Sequence, residues 1–146
     1  MNEQSPLEVV QEAYAAFTKG DLKTLLNLMA EDVKWFLPGP TDIIPFAGLR
    51  EGRESVGEFF RTLARLQDAT VFEPTTFIAQ EDKVVAIGHY NWQMKNSDRE
   101  YASHFAHYFI VRDGKIAEFE EFYDTGAVTR AYSGESADSA RQAGAS

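Results

Sequence analysis

Residues 101–123 read YASHFAHYFIVRDGKIAEFEEFY, from Tyr101 to Tyr123, and their pattern decides the fold. Asp113-Gly114 sits between two runs rich in aromatic and β-branched residues. Both residues of that pair reach positive φ readily, which a two-residue hairpin turn requires. Side chains alternate along a strand, so Tyr101, Phe105, His107, Phe109 and Val111 share one face of the first arm. Phe119, Glu121 and Tyr123 share one face of the second. If both faces are the buried one, an imidazole and a carboxylate point into an apolar interior, as they would in a small-molecule pocket.

Upstream of the hairpin the spacing is of two kinds. Ser5-Pro6-Leu7-Glu8 is a helix start with a capping box, followed by Leu7, Val10, Tyr14 and Phe17 on one helical face. Gly20 ends that helix and Asp21 caps a second, which buries Leu22, Leu25, Leu26 and Met29. Val33 to Leu37 reads as a short strand holding Trp35. Residues 38–48 read as a loop, with Ile43, Ile44 and Phe46 more apolar than a solvated loop requires. A third helix runs from about Glu54, with Val56, Phe59, Phe60, Leu63 and Leu66 on one side. After Gln67 the period changes from 3.6 to 2. Ala69–Ala79 and Lys83–Met94 precede the two hairpin arms as long strands, turning at Glu81-Asp82 and Asn96-Ser97-Asp98. A short last helix is expected from Asp124 to about Tyr132. Helices first and a strand meander afterwards predict an α+β domain over residues 1–132, with three N-terminal helices on a strongly curved antiparallel sheet. Residues 133–146 are small and polar and read as a disordered tail.

Composition narrows the function. A chain of 146 residues suits one domain. The 44% hydrophobic and 13% aromatic content suits an interior that is lined as well as filled. A net charge of −9 argues against nucleic acid and against an anionic membrane surface as partners. Without cysteine there is no disulfide, thiol nucleophile or thiolate metal site. No apolar run approaches the ~20 residues that span a bilayer, and no signal peptide is visible, so a cytoplasmic location is expected. No nucleophile elbow, phosphate loop or dinucleotide fingerprint occurs, and no cofactor is expected. His104 and His107, three apart on a strand, fall on opposite faces, so no metal site is expected either.

Several stretches together resemble the nuclear transport factor 2-like superfamily, in its ketosteroid isomerase or SnoaL-like polyketide cyclase branch. They are Ala13-Tyr14-Ala15-Ala16-Phe17 with Gly20-Asp21, Ala30-Glu31-Asp32-Val33 with Trp35, Gly52-Arg53-Glu54 leading into Phe59-Phe60, His107-Tyr108-Phe109, Arg112-Asp113-Gly114-Lys115-Ile116 and Tyr123-Asp124. The resemblance implies a conical α+β barrel, a homodimer, and a deep pocket between sheet and helices. It does not imply one activity. It sets Leu37 where steroid isomerases carry a general-base aspartate. Met29 and Phe60 stand at the positions of supporting tyrosines, Tyr14 at the oxyanion tyrosine, and His107 at the protonated acid.

The site expected from these readings has His107 as the proton-transfer residue, assisted by Glu121 or Tyr14. Trp35, Leu37, Phe60, Tyr90, Trp92, Phe119 and Tyr123 would line a pocket for an apolar cyclic small molecule. His107 reads equally as a core histidine bonded to a backbone carbonyl or to Tyr14. Glu121, with Glu118 and Glu120, forms an acidic run of the kind that is more often a solvated face. Three functions follow: cofactor-free isomerase, cyclase or lyase chemistry; non-enzymatic ligand binding; or a protein-interaction module using the outer sheet face, which is also the expected homodimer surface.

Overall fold

The computed structural model describes residues 4–134. Its order is α1 (Pro6–Lys19), α2 (Leu22–Asn27), β1 (Met29–Leu37), β2 (Gly48–Glu51), α3 (Arg53–Leu66), β3 (Gln67–Gln80), β4 (Lys83–Met94), β5 (Glu100–Arg112), β6 (Lys115–Tyr123) and α4 (Thr125–Ser133). The strands form one sheet in the order β2-β1-β6-β5-β4-β3. Its neighbours are antiparallel except for β1 and β6, which run parallel. The curved sheet does not close on itself, and the helices cover its concave side, giving the expected α+β cone. Ser133 and Gly134 finish α4; the rest of the expected tail, residues 135–146, lies outside the described residues.

Local signals account for the elements. The Ser5 hydroxyl accepts from the Glu8 N–H while the Glu8 carboxylate accepts from the Ser5 N–H, the capping box expected. Gly20, at φ 72°, closes α1, and Asp21 caps α2. Two elements differ from the sequence reading. β1 begins four residues early, so Met29 belongs to a strand rather than to the face of α2. Gly48–Glu51, read as the loop's end, is a strand: it pairs with β1 through Trp35–Arg50 and Leu37–Gly48.

At Gly88 the backbones of β3 and β4 come unusually close. β3 carries an irregularity between Pro74 and Thr76 opposite β4. There a Cβ on Gly88 would lie 2.1 Å from the Glu73 carbonyl oxygen and 2.7 Å from the Pro74 Cα. Only glycine lets the strands approach this closely. The inner face of the bent sheet packs Trp35, Phe105, Phe109, Phe119 and Tyr90 against Val9, Val10 and Ala13 of α1 and Val56 and Phe59 of α3.

Candidate functional site

A second irregularity sets the chemistry inside the cone. Arg112 and Val111 pair with Lys115 and Ile116, as a two-residue turn at Asp113-Gly114 dictates. Both turn residues have positive φ, 53° and 74°. Ala117 is then an extra residue, and beyond it Phe109 pairs with Phe119 and His107 with Glu121. The bulge keeps Ile116, Phe119 and Glu121 all inside, which a straight ladder cannot do.

His107 and Glu121 are 5% and 7% exposed. With Tyr14 and Tyr90 they form a chain across the cone. The Tyr14 hydroxyl lies 2.6 Å from Nδ1 of His107. Nε2 of His107 lies 3.2 Å from Oε1 of Glu121, but off the line of a hydrogen bond, so it has no hydrogen-bond partner among the described residues. The Tyr90 hydroxyl donates to Oε2 of Glu121 at 2.6 Å. His107 is the only hydrogen-bond partner of the Tyr14 hydroxyl there, so the phenol proton is directed at Nδ1 and the imidazole carries its own proton on Nε2. Burial first, and the charge of Glu121 second, raise both phenols well above the ordinary tyrosine value. Both therefore act as O–H donors.

The chain lies in the wall of a cavity of about 80 Å³. Tyr14, Trp35, Leu37, Phe60, Tyr90, Trp92, His107, Phe119 and Glu121, nine of the ten residues expected at the site, contribute to that wall. Tyr123 does not. It is half-buried, and its hydroxyl donates to the Pro38 carbonyl, tying β6 to the 38–48 loop. Gly39, at φ 131°, leaves the room this needs, since a Cβ there would meet the Tyr123 hydroxyl at 3.0 Å. Trp35 stacks on Phe119 at 3.8 Å. Its buried Nε1 has no partner among the described residues. A wider hollow of about 540 Å³ lies between the α1–α2 junction, α3 and the start of β3. Phe17, Phe60 and Phe72 border both spaces.

The hydrogen bond from Tyr90 was not legible in the sequence. Tyr90 pairs with Ser103 on β5, four pairs along from His107, which faces Ala86. Its hydroxyl reaches Glu121 diagonally across β5, past the Phe105 ring on which Tyr90 stacks at 5.3 Å. Gln67 was likewise missed. It is 2% exposed, donates to the Tyr101 hydroxyl at 2.6 Å and accepts from the Tyr132 hydroxyl, pinning α4 to the cone. His89 and His104 lie on the outer face, His89 beside Glu73 at 3.3 Å. Among the described residues no three His, Asp or Glu side chains are grouped to hold a metal ion, and no helix is long and apolar enough to cross a membrane.

Residues 10–119 match the model of the SnoaL-like domain, and the chain belongs to that family, within the nuclear transport factor 2-like (NTF2-like) superfamily. It is similar to an uncharacterised protein of Mycobacterium tuberculosis, 26% identical over 132 residues, which are 90% of this chain and 98% of the other. The crystal structure of an NTF2-like protein from Burkholderia xenovorans LB400 superposes with a TM-score of 0.80 at 29% identity, covering 90% of this chain and 98% of that one. A candidate isomerase from Rhodopseudomonas palustris shares the fold, with a TM-score of 0.77 at 19% identity over 92% of this chain and all of the other.

Proposed function

We propose that this chain binds an apolar, single-ring small molecule in its cone and moves a proton on it without a cofactor. The observation that carries this reading is the Tyr14–His107–Glu121–Tyr90 chain, set in a cavity otherwise walled almost wholly by carbon. Burying four such groups costs free energy unless they serve one another or a ligand. Here Nε2 of His107 and Nε1 of Trp35 are left for a ligand. The cavity size favours one ring: at about 80 Å³ it admits a small ligand as it stands, and a tetracyclic one would need the walls to part. The wide hollow beyond Phe17, Phe60 and Phe72 offers a way in.

The tautomer divides the labour. The Nε2–H of His107 donates to the oxygen on which charge develops, and the Glu121 carboxylate beside it accepts the carbon-bound proton. Tyr14 holds the imidazole in that tautomer, and Tyr90 holds the carboxylate. A thermal-shift screen of cyclic ketones, polyketides and terpenoids finds the ligand class. On a substrate so found, His107→Ala and Glu121→Gln each lower turnover about a hundredfold or more with the fold intact. Unchanged turnover in both leaves a binding protein.

The outer sheet face supports a homodimer. Ile78, Val85, Tyr108, Glu120, Phe36 and Leu49 form one row across all six strands through successive pairings. Ile87, Ala106 and Phe122 lie in the next row. Leu49, Ile78, Ile87 and Phe122 are exposed, and a largely apolar band of this kind, interrupted by Glu120, favours a partner over water. A second copy is the occupant proposed, and the cytoplasm is the location proposed for this acidic chain.

A further inference from the structure

The cavity carries a buried carboxylate and no cationic side chain in its wall. Among its lining residues twelve are Phe, Tyr or Trp, one is Glu121, and none is Lys or Arg. The nearest guanidinium recorded against a wall ring, that of Arg50, sits 5.9 Å from the centroid of Phe59, and Arg50 itself is not part of the wall. With the Tyr14 phenol on Nδ1, His107 turns its Nε2 edge toward Glu121 and the cavity. Glu121 receives the Tyr90 O–H at 2.6 Å on one oxygen and faces the His107 Nε2 edge at 3.2 Å with the other. The Tyr90 hydroxyl is the one donor in hydrogen-bond contact with that carboxyl group among the described residues. The cavity wall therefore holds one carboxyl group and, among the described residues, no Lys or Arg beside it.

We infer that the cone selects an organic cation: a small ring bearing a quaternary or protonated nitrogen. Three features act in the same direction. The carboxylate attracts the charge directly. Aromatic faces attract it through their quadrupoles, and such attraction strengthens when water is excluded. The chain's net charge of −9 favours the approach of a cation and opposes that of an anion. An anionic ligand would meet Glu121 with no counter-charge and pay the full cost of burying a second negative group. This inference rests on the ligand-binding reading above and names the charge class of that ligand.

Three isosteres separate charge from shape: phenyltrimethylammonium, tert-butylbenzene and phenyltrifluoroborate, which are cationic, neutral and anionic. Trp35 and Trp92 lie in the cavity wall, so tryptophan fluorescence reports binding. Titrations at pH 7.5 and low salt on the full chain and on Glu121→Gln make the comparison. The expected result is binding of the cation about tenfold or more tighter than the neutral isostere and no measurable binding of the anion. In Glu121→Gln the cation's advantage falls to about threefold or less. If the neutral compound or the anion binds the wild-type protein as tightly as the cation, charge selection is wrong and the pocket reading survives. Cation binding undiminished in Glu121→Gln also overturns the inference, since the cation then binds elsewhere. If none of the three binds, the pocket reading fails and this inference with it. Should Glu121→Gln not fold, the ranking of the three compounds on the wild-type chain decides alone.

Discussion

His107 faces Glu121 and not Glu120. A straight hairpin closed by Asp113-Gly114 would set Glu120 opposite the imidazole, since Arg112 pairs with Lys115 and Val111 with Ile116. The extra residue, Ala117, shifts the ladder by one before it reaches His107. One residue of slip turns every following side chain to the other face. Deleting Ala117 should straighten the ladder and still leave Phe119 opposite Phe109 and Glu121 opposite His107, because only the unpaired residue is removed. Circular dichroism and urea titration should then show a folded chain, less stable by no more than about 3 kcal/mol; a largely unfolded chain would contradict this register.

Removing one member of the buried chain strands the others. Glu121→Ala leaves the Tyr90 hydroxyl without its acceptor and the His107 edge without its counterpart. The expected loss is about 3 kcal/mol in a urea titration. Glu121→Gln, which still accepts from Tyr90, should cost less than half of that.

Gly88→Ala tests the close approach of β3 to β4. The new methyl would lie within 3 Å of the Glu73 and Pro74 backbone, and backbone cannot swing aside as a side-chain tip can. The expected loss is about 2 kcal/mol or more. Ala86→Gly, one inward position along β4, should cost less, about 1 kcal/mol.

Stability should fall on the alkaline side. Burial, with the charge of Glu121 next for the first two, raises Tyr14, Tyr90 and Tyr101 above the ordinary tyrosine value of about 10. Below pH ~10 folded and unfolded chains alike hold these protons, and the contribution is fully present. Above it the unfolded chain releases protons that the folded chain keeps, so stability drops as pH rises, by up to about 1.4 kcal/mol per pH unit for each tyrosine. Urea midpoints between pH 8 and 11 measure this. A flat profile would mean that these phenols are not held as the structure holds them.

How much of this could be read in the sequence depends on how local each feature is. Lys83–Met94 and Lys115–Tyr123 match their expected bounds, because alternation and turn residues lie within each segment. Gly48–Glu51 has one apolar side chain, Leu49, and that one faces outward, so nothing in its pattern signals a strand; it is defined by pairing with β1. The inward positions of His107 and Glu121 were legible by parity, but their meeting depends on the bulge at Ala117, and nothing in Ile116-Ala117-Glu118 announces an extra residue. Tyr90 was legible as an inward ring. Its bond to Glu121 depends on sheet curvature, which periodicity does not encode.

The exposed band on the outer face should show itself in mass. Sedimentation equilibrium at micromolar concentration should give twice the chain's mass, and Phe122→Glu or Ile87→Lys should give the monomer with the fold retained. A monomeric wild-type chain would remove the dimer from this account.

Proton transfer at His107 and Glu121 is the central claim, and solvent-deuterium exchange tests it without the native substrate. A single-ring carbon acid that binds the cone, such as cyclohexanone, is held with the protein in D₂O, and loss of its α-proton signal is followed by NMR. The account predicts exchange well above the buffer rate, reduced about a hundredfold or more in both His107→Ala and Glu121→Gln. Exchange at the buffer rate with a ketone shown to bind, or exchange that neither substitution slows, would contradict it.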